Sequence, residues 1–206
     1  DIPEAKSSID WQDKDTLLIA TDWGPESKDG GGKPTLTESG YPYVIKRLKR
    51  GQTLAQAVEI FRGEEKDVAT SPFSMEDAAG HRWFGAARAE TFFTTSYFMF
   101  PASGEGAPIQ LPIPKKASPQ GIFADTLILT LEEDWAPEGQ SNGGQGPFKS
   151  GDLVGFNWSE FLAGGKLPKV ELVFRPTPKQ ALQGVGISKN QMLVNISDNV
   201  AVKVMA

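Results

Sequence analysis

The segment DTLLIA at residues 15–20 recurs later in the chain as DTLILT at residues 125–130. Both copies are rich in aliphatic and β-branched residues. A tryptophan follows each copy, Trp23 after the first and Trp135 after the second. A short apolar run between turn residues is typical of a buried β-strand. The two segments therefore predict equivalent strands in an internal repeat.

A second pair of segments supports the repeat. IFR at residues 60–62 recurs in the same order as VFR at residues 173–175. Further short strands are predicted at residues 43–48, 59–63, 82–87, 91–95, 97–100, 109–113, 153–157, 170–174, 191–196 and 200–204. Single helical turns are predicted at residues 53–58 and 159–163, the second of them closed by Gly164 and Gly165.

Short strands joined by turns predict an all-β fold, and the chain has 22 Gly and 15 Pro residues to form those turns. The repeat implies a unit of about 50 to 55 residues, which is typical of a four-stranded propeller blade. The sequence therefore predicts a partial β-propeller of about three to four four-stranded antiparallel blades. We place the approximate blades at residues 9–65, 67–115, 120–176 and, as an incomplete blade, 180–206.

Composition excludes several classes of function. The chain has 206 residues and a net charge of -5, so no basic field is available to bind nucleic acid or an anionic membrane. It contains no Cys, which excludes thiolate catalysis and Cys-ligated metals. Because His81 is the single histidine, a three-His metal site is impossible and any Ser/His/Asp triad must use this residue.

The segment GQSNG at residues 139–143 matches the G-x-S-x-G nucleophile elbow of α/β-hydrolases. The elbow requires a strand that runs directly into the serine and a helix that leaves it. Here residues 134–138 separate the preceding strand from Ser141, and the glycines with Pro147 cannot begin a stable helix. In that fold the histidine follows the serine, whereas His81 precedes it. We therefore expect Ser141 to lie in a flexible hairpin loop.

Two other motifs lack essential parts of the sites they resemble. GGGKPT at residues 30–35 is similar to the end of a phosphate-binding loop, but Pro34 blocks the helix that such a loop requires. Asp10, Asp13 and Asp15 provide oxygen ligands, but the glycine and distal glutamate of a calcium loop are missing. We therefore expect a loop at residues 30–35 and a solvated turn at the three aspartates.

The remaining candidates are cationic and aromatic. Arg62, Arg82 and Arg88 could bind an anion, although surface ion pairs are the expected role. The aromatic clusters at residues 92–93 and 97–100 are predicted to pack between blades, with a wall facing substrate as the alternative. No catalytic, cofactor-binding or metal-binding residue is predicted in this chain, and no cofactor is expected.

Several segments resemble the N-terminal propeller of a known family, the bacterial prolyl-oligopeptidase-like serine peptidases. The resemblance is carried by residues 15–25, 36–42 and 46–51 with Leu54 and Ala57, and then by residues 129–135, 151–153, 161–164 and 197–200. The block SGYP at residues 39–42 is the most individual match. The chain departs from the family at Tyr43, where the family has a basic residue, and in longer loops at residues 28–34 and 137–151.

The resemblance implies a non-catalytic propeller that gates the access of short peptides to an active site on a separate α/β-hydrolase domain. Nothing in this chain corresponds to that domain, so the resemblance implies a fragment of a larger hydrolase that is inactive alone. The expected partners are short peptide substrates and the hydrolase domain, with self-association through open blade edges. A soluble protein of the cytoplasm or periplasm is expected. The alternative is a stand-alone β-propeller or β-sandwich that binds a partner.

Overall fold

The computed structural model describes residues 4–24, 34–101, 106–140 and 147–206. These residues form four sheets, and each sheet consists of strands that are consecutive in the chain. The first two sheets belong to one compact unit and the last two to another. The predicted all-β class is confirmed. None of the helices in the described ranges has the length and apolar character needed to cross a bilayer.

The first unit contains two four-stranded sheets. The first sheet has strands β1 (Ser8–Asp13), β2 (Thr16–Ala20), β3 (Val44–Lys49) and β4 (Val58–Arg62). The second sheet has strands β5 (Ala69–Glu76), β6 (Arg82–Thr91), β7 (Thr94–Met99) and β8 (Ile109–Gln110). A single turn of 3-10 helix, Leu54–Gln56, lies between β3 and β4, where one helical turn is predicted from the sequence.

Apolar side chains of both sheets form the core of the first unit. Its buried members are Leu18, Ala20, Ile45, Phe84, Ala86 and Phe100. The rings of Phe61 and Phe98 add a contact with centroids 4.9 Å apart. Most of these residues occupy alternate positions of strands that are apolar in sequence. Their side chains therefore lie on one face of each strand, and burial of these faces joins the two sheets.

The second unit contains one four-stranded and one three-stranded sheet. The third sheet has strands β9 (Ala117–Phe123), β10 (Thr126–Leu131), β11 (Leu153–Asn157) and β12 (Val170–Phe174). The fourth sheet has strands β13 (Gln180–Ile187), β14 (Met192–Asp198) and β15 (Ala201–Met205). Ile128 and Leu153 of the third sheet pack with Val194 and Ile196 of the fourth.

The one α-helix in the described ranges, α1 (Trp158–Gly164), follows β11 directly. The side chain of Asn157 accepts a hydrogen bond from the Glu160 N–H at 2.7 Å and so caps the first turn. Gly165 ends the helix in the left-handed region, with φ of 64°. Trp158 and Phe161 are buried, and their rings stack 5.4 Å apart. The helical turn predicted at residues 159–163 is therefore confirmed.

The repeat predicted from the sequence is confirmed at the level of strand position. Strand β2 contains the first DTL-type segment and β10 contains the second, and each is the second strand of its sheet. The IFR segment ends β4, and the Val173 and Phe174 of VFR end β12, so both lie in a fourth strand. Phe61 pairs with Ile45, and Phe174 pairs with Leu153, near the start of the third strand in each sheet.

One strand prediction was wrong, and one group of strands was not predicted. The predicted strand at 91–95 is instead the turn between β6 and β7, because Phe92 and Phe93 connect the paired residues Thr91 and Thr94. The first strand of every sheet was not predicted, and these are β1, β5, β9 and β13.

The fourth sheet ends at an edge strand, β15, whose Val202 and Val204 are exposed. Self-association through open sheet edges stays a prediction, and β15 is the edge that would support it.

We expect Lys203→Met to raise the pKa of Asp198 toward its ordinary value. The hydrogen bond from Lys203 Nζ, at 2.7 Å, is the main cause that holds the pKa of Asp198 below that value, and the amide of Gln180 also donates to this carboxylate. Because the folded pKa lies below the unfolded one, the carboxylate stabilises the fold above the unfolded pKa, and this contribution is lost as pH falls through the folded pKa. An NMR titration of the Asp198 carboxyl carbon measures the change.

The control is Lys66→Met, which removes a 3.0 Å ion pair with Glu64 in the first unit. This variant should leave the titration of Asp198 unchanged. If Lys203→Met also left that titration unchanged, the assignment of the pKa shift to Lys203 would be wrong.

Candidate functional site

The structure describes no site in which Ser141 and His81 lie together. Ser141 lies outside the described residues, as do residues 30–33 of the glycine-rich segment. His81 lies on the turn between β5 and β6, where its Nδ1 is 2.9 Å from Oδ2 of Asp77. This hydrogen bond is the main cause that lowers the pKa of Asp77. The His81 side chain is 71% exposed, so the pair lacks the water-excluded surroundings of a catalytic base.

The three aspartates near the first turn have separate partners. Asp10 Oδ1 accepts a hydrogen bond from Ser74 Oγ at 3.0 Å, which joins β1 to β5. Asp13 accepts the N–H of Asp15, and Asp15 pairs with Arg50 at 3.0 Å. In the described part of the chain, no group of three His, Cys, Asp or Glu residues could hold a metal ion.

Arg62 and Arg88 stabilise the first unit through ion pairs. The guanidinium of Arg62 pairs with Glu59 at 2.6 Å and donates to the carbonyl of Pro34 at 3.1 Å. The guanidinium of Arg88 donates two hydrogen bonds to the carboxylate of Asp67, at 2.7 and 3.0 Å, and these raise the pKa of Arg88. The guanidinium groups of Arg62 and Arg88 are therefore both bound to groups of the protein itself.

Arg82 also contacts the protein, because its Nη1 donates to the carbonyl of Trp11 at 3.3 Å. The arginines singled out from the sequence thus bind different groups of the protein and do not converge on one anion site. Their role in the described structure is to tie strands and loops together.

A cleft of about 800 Å³ with both polar and apolar walls lies between the third and fourth sheets of the second unit. Its polar lining includes Gln120, Thr130, Lys149, Asp152, Arg175 and Gln180. The guanidinium of Arg175 donates to both oxygens of Asp152, at 2.8 and 2.6 Å, so this pair is neutral as a whole. The cleft therefore offers a ligand apolar surface from Leu131, Pro176 and Leu182 beside amide, hydroxyl and charged groups, a mixture that suits a peptide.

The sequence did not predict this cleft. Gln120 lies on β9 and Gln180 on β13, and neither strand was predicted. The sequence did contain one residue that indicates the cleft, Arg175, which ends the repeated VFR segment. It could have been matched to Asp152, which directly precedes the well-predicted strand β11.

A second polar cleft, of about 630 Å³, lies at one end of the first sheet. Its lining includes Gln12, Asp15, Arg47, Lys49 and Arg50. Arg50 binds Asp15, and Arg47 Nε donates to Gln12 Oε1 at 2.8 Å. The charges of Asp15 and Arg50 are thus paired with each other within the lining.

The aromatic segments have two different environments. Phe100 is buried in the core of the first unit, and Phe98 packs against that core, as predicted for the cluster at residues 97–100. Phe92 and Phe93 are 82% and 77% exposed at the turn between β6 and β7, so the prediction that they pack in the core was wrong. The two residues lie beyond the last paired positions of the hairpin, Thr91 and Thr94, so neither strand covers their side chains.

Comparison with known proteins finds peptidases that are similar to this chain. The chain is 31% identical over 205 residues to an uncharacterized peptidase of Sinorhizobium fredii, a match that covers 98% of this chain and 26% of that relative. It is 22% identical over 198 residues to an uncharacterized peptidase of Rickettsia prowazekii, covering 95% of this chain and 26% of that relative. No family model matches the chain.

Among solved structures, a post-proline cleaving enzyme from Rickettsia typhi is similar with a TM-score of 0.79 and 18% identity. The match covers 96% of this chain and 27% of that enzyme. The partial β-propeller predicted from the sequence is thereby confirmed. The chain spans about a quarter of the length of the relatives it matches.

Proposed function

Because the chain matches the propeller segment of prolyl-oligopeptidase-like serine peptidases, we propose that it is the non-catalytic part of such an enzyme and limits entry to short, unstructured peptides. The observation that carries the proposal is the similarity over 98% of this chain to 26% of a peptidase. A segment of that size, present as one part of a longer peptidase, would contribute exclusion and positioning rather than bond cleavage.

The described residues support a role without catalysis. His81 is paired with Asp77 on an exposed turn, and the described ranges contain no cluster suited to a metal. The cleft between the third and fourth sheets is lined by apolar, amide, hydroxyl and charged groups, and its one serine, Ser150, has no histidine beside it in the lining to activate it as a nucleophile. Chemistry would then belong to a hydrolase domain elsewhere in the longer protein.

We also propose that the sheets act as successive blades of one propeller segment, at about residues 9–65, 67–115, 120–176 and 180–206. In this arrangement the hydrolase domain is the partner of the segment, and short peptides are the substrates of the whole enzyme. The alternative, a stand-alone binding protein, would be favoured if the reading frame ended soon after Ala206.

The gating role can be tested in the longer peptidase with two substrates of the same cleavage sequence, a short peptide and a long unfolded polypeptide. The intact enzyme should cleave the short peptide and spare the long one. Gly85→Ala, which disturbs the second sheet, should reduce this discrimination, whereas Gly164→Ala at the end of α1 should preserve it. Equal cleavage of both substrates by the intact enzyme would contradict gating.

The chain of 206 residues alone is expected to hydrolyse no peptide or ester substrate above background. The reason is that Ser141 has no helix-forming sequence after it, and the single histidine is bound to Asp77 on an exposed turn. The measurement is release of a chromogenic leaving group by the purified chain, with Ser141→Ala as the control. Turnover that disappears in Ser141→Ala would overturn this expectation.

A further inference from the structure

Phe92 and Phe93 form the whole of the two-residue turn between β6 and β7. Their exposed fractions, 82% and 77%, are among the largest of any apolar residue in the described chain. Short hairpin turns favour Gly, Asn and Asp, because these residues adopt the required backbone at little cost. Two adjacent phenylalanines in this position expose a large apolar surface that the turn itself does not need.

The turn is held in one conformation by hydrogen bonds on both sides. The hydroxyls of Thr91 and Thr94 are 2.7 Å apart, and the N–H of Phe93 donates to Thr91 Oγ1 at 3.1 Å. One step further down the hairpin, Ser96 Oγ donates to Glu90 Oε1 at 2.7 Å. Because the backbone is already ordered, insertion of the two rings into a partner would cost little conformational entropy.

Acidic side chains lie at the same end of the first unit. The N–H of Val68 donates to the carbonyl of Ala89 at 2.9 Å, and the N–H of Glu38 donates to the carbonyl of Glu65 at 3.1 Å. These bonds bring the two connecting segments beside the end of β6. Glu38 and Glu65 are exposed, and neither forms an ion pair within the described ranges. Because Lys66 and Arg88 already pair with Glu64 and Asp67, Glu38 and Glu65 leave the end of the unit that contains the turn with an excess of negative charge.

We propose that the Phe92–Phe93 turn is a docking contact for the rest of the longer peptidase and inserts both rings into an apolar pocket with a basic rim. This inference rests on the proposed function. The relatives are about four times as long as this chain, so most of their residues lie outside it and supply an occupant. The acidic surroundings disfavour both an anionic lipid surface and the same turn of a second copy. Exposed aromatic residues that enter a partner's pocket are typical of binding hot spots.

The test is hydroxyl-radical footprinting of the longer peptidase, with mass spectrometry of the oxidised side chains. Phe92 and Phe93 should be oxidised at least about fivefold more slowly than in the 206-residue chain alone, because a docked hot spot is excluded from solvent. Val58 on β4, which is 62% exposed, serves as the control and should show the same rate in both samples.

The outcomes separate this inference from the function on which it rests. If the longer protein cleaves peptides but both phenylalanines are oxidised at the rate seen in the isolated chain, the docking contact is wrong and the peptidase assignment stands. If it cleaves no peptide, the proposed function is wrong. Protection that rises with protein concentration would assign the turn to a second copy, and protection that requires anionic vesicles would assign it to a membrane. Either result overturns the proposal.

Discussion

Arg88→Met is expected to lower the free energy of unfolding by about 3 to 5 kcal/mol, the cost of removing one partner of a buried ion pair. The Asp67 carboxylate is only 2% exposed and accepts two hydrogen bonds from Arg88. Methionine fills a similar volume but leaves this buried charge without its cation. Urea unfolding followed by tryptophan fluorescence measures the loss.

Arg50→Met is the matched control for this substitution. Arg50 forms an ion pair of similar length with Asp15, at 3.0 Å, but the two side chains are 67% and 55% exposed. Water screens such a pair, so a loss of no more than about 1 kcal/mol is expected. Equal effects of the two substitutions would show that burial of Asp67 does not govern the stability of the first unit.

Gly85→Ala is expected to destabilise the chain by about 3 kcal/mol, at the upper end of the cost of overpacking. A Cβ at this position would overlap the backbone carbonyl oxygen of Phe98 and lie 3.0 Å from Cε1 of Phe73. The carbonyl belongs to the neighbouring strand and cannot rotate away, so β6 and β7 would have to separate. Thermal unfolding by circular dichroism measures the shift.

Gly164→Ala provides the control for the glycine substitution. No atom lies within 4 Å of its added Cβ, and Gly164 is a helical residue at the end of α1. Alanine there should leave the stability unchanged or raise it by about 0.5 kcal/mol, because it restricts the unfolded chain. A similar melting temperature for Gly85→Ala and the original chain would contradict the predicted overlap.

Strands with continuous apolar runs were predicted well from the sequence. Strand β11 was predicted with its observed bounds, and β2 was predicted to within one residue, because each is buried on both faces and has few polar residues. The first strand of each sheet was not predicted, since its residues are mixed in polarity. Pro72 in β5 and Pro119 in β9 also argue against a strand, because proline removes a donor from the ladder.

The candidate site was harder to predict than the fold. The cleft of the second unit is lined in part by Gln120 and Gln180, which lie on two of these unpredicted first strands. The exposed turn was missed for a different reason. Phe92 and Phe93 have high strand propensity, and only the pairing of Thr91 with Thr94 across them shows that the chain reverses there.

The construction of each sheet from consecutive strands affects how the chain can fold during synthesis. All pairings of the first sheet lie between Ser8 and Arg62, so its hydrogen bonds can form before later residues leave the ribosome. The hairpin between β1 and β2 closes over Lys14 and Asp15, which makes its loop-closure entropy small. Each sheet can thus act as a local folding step, added in the order in which it is translated.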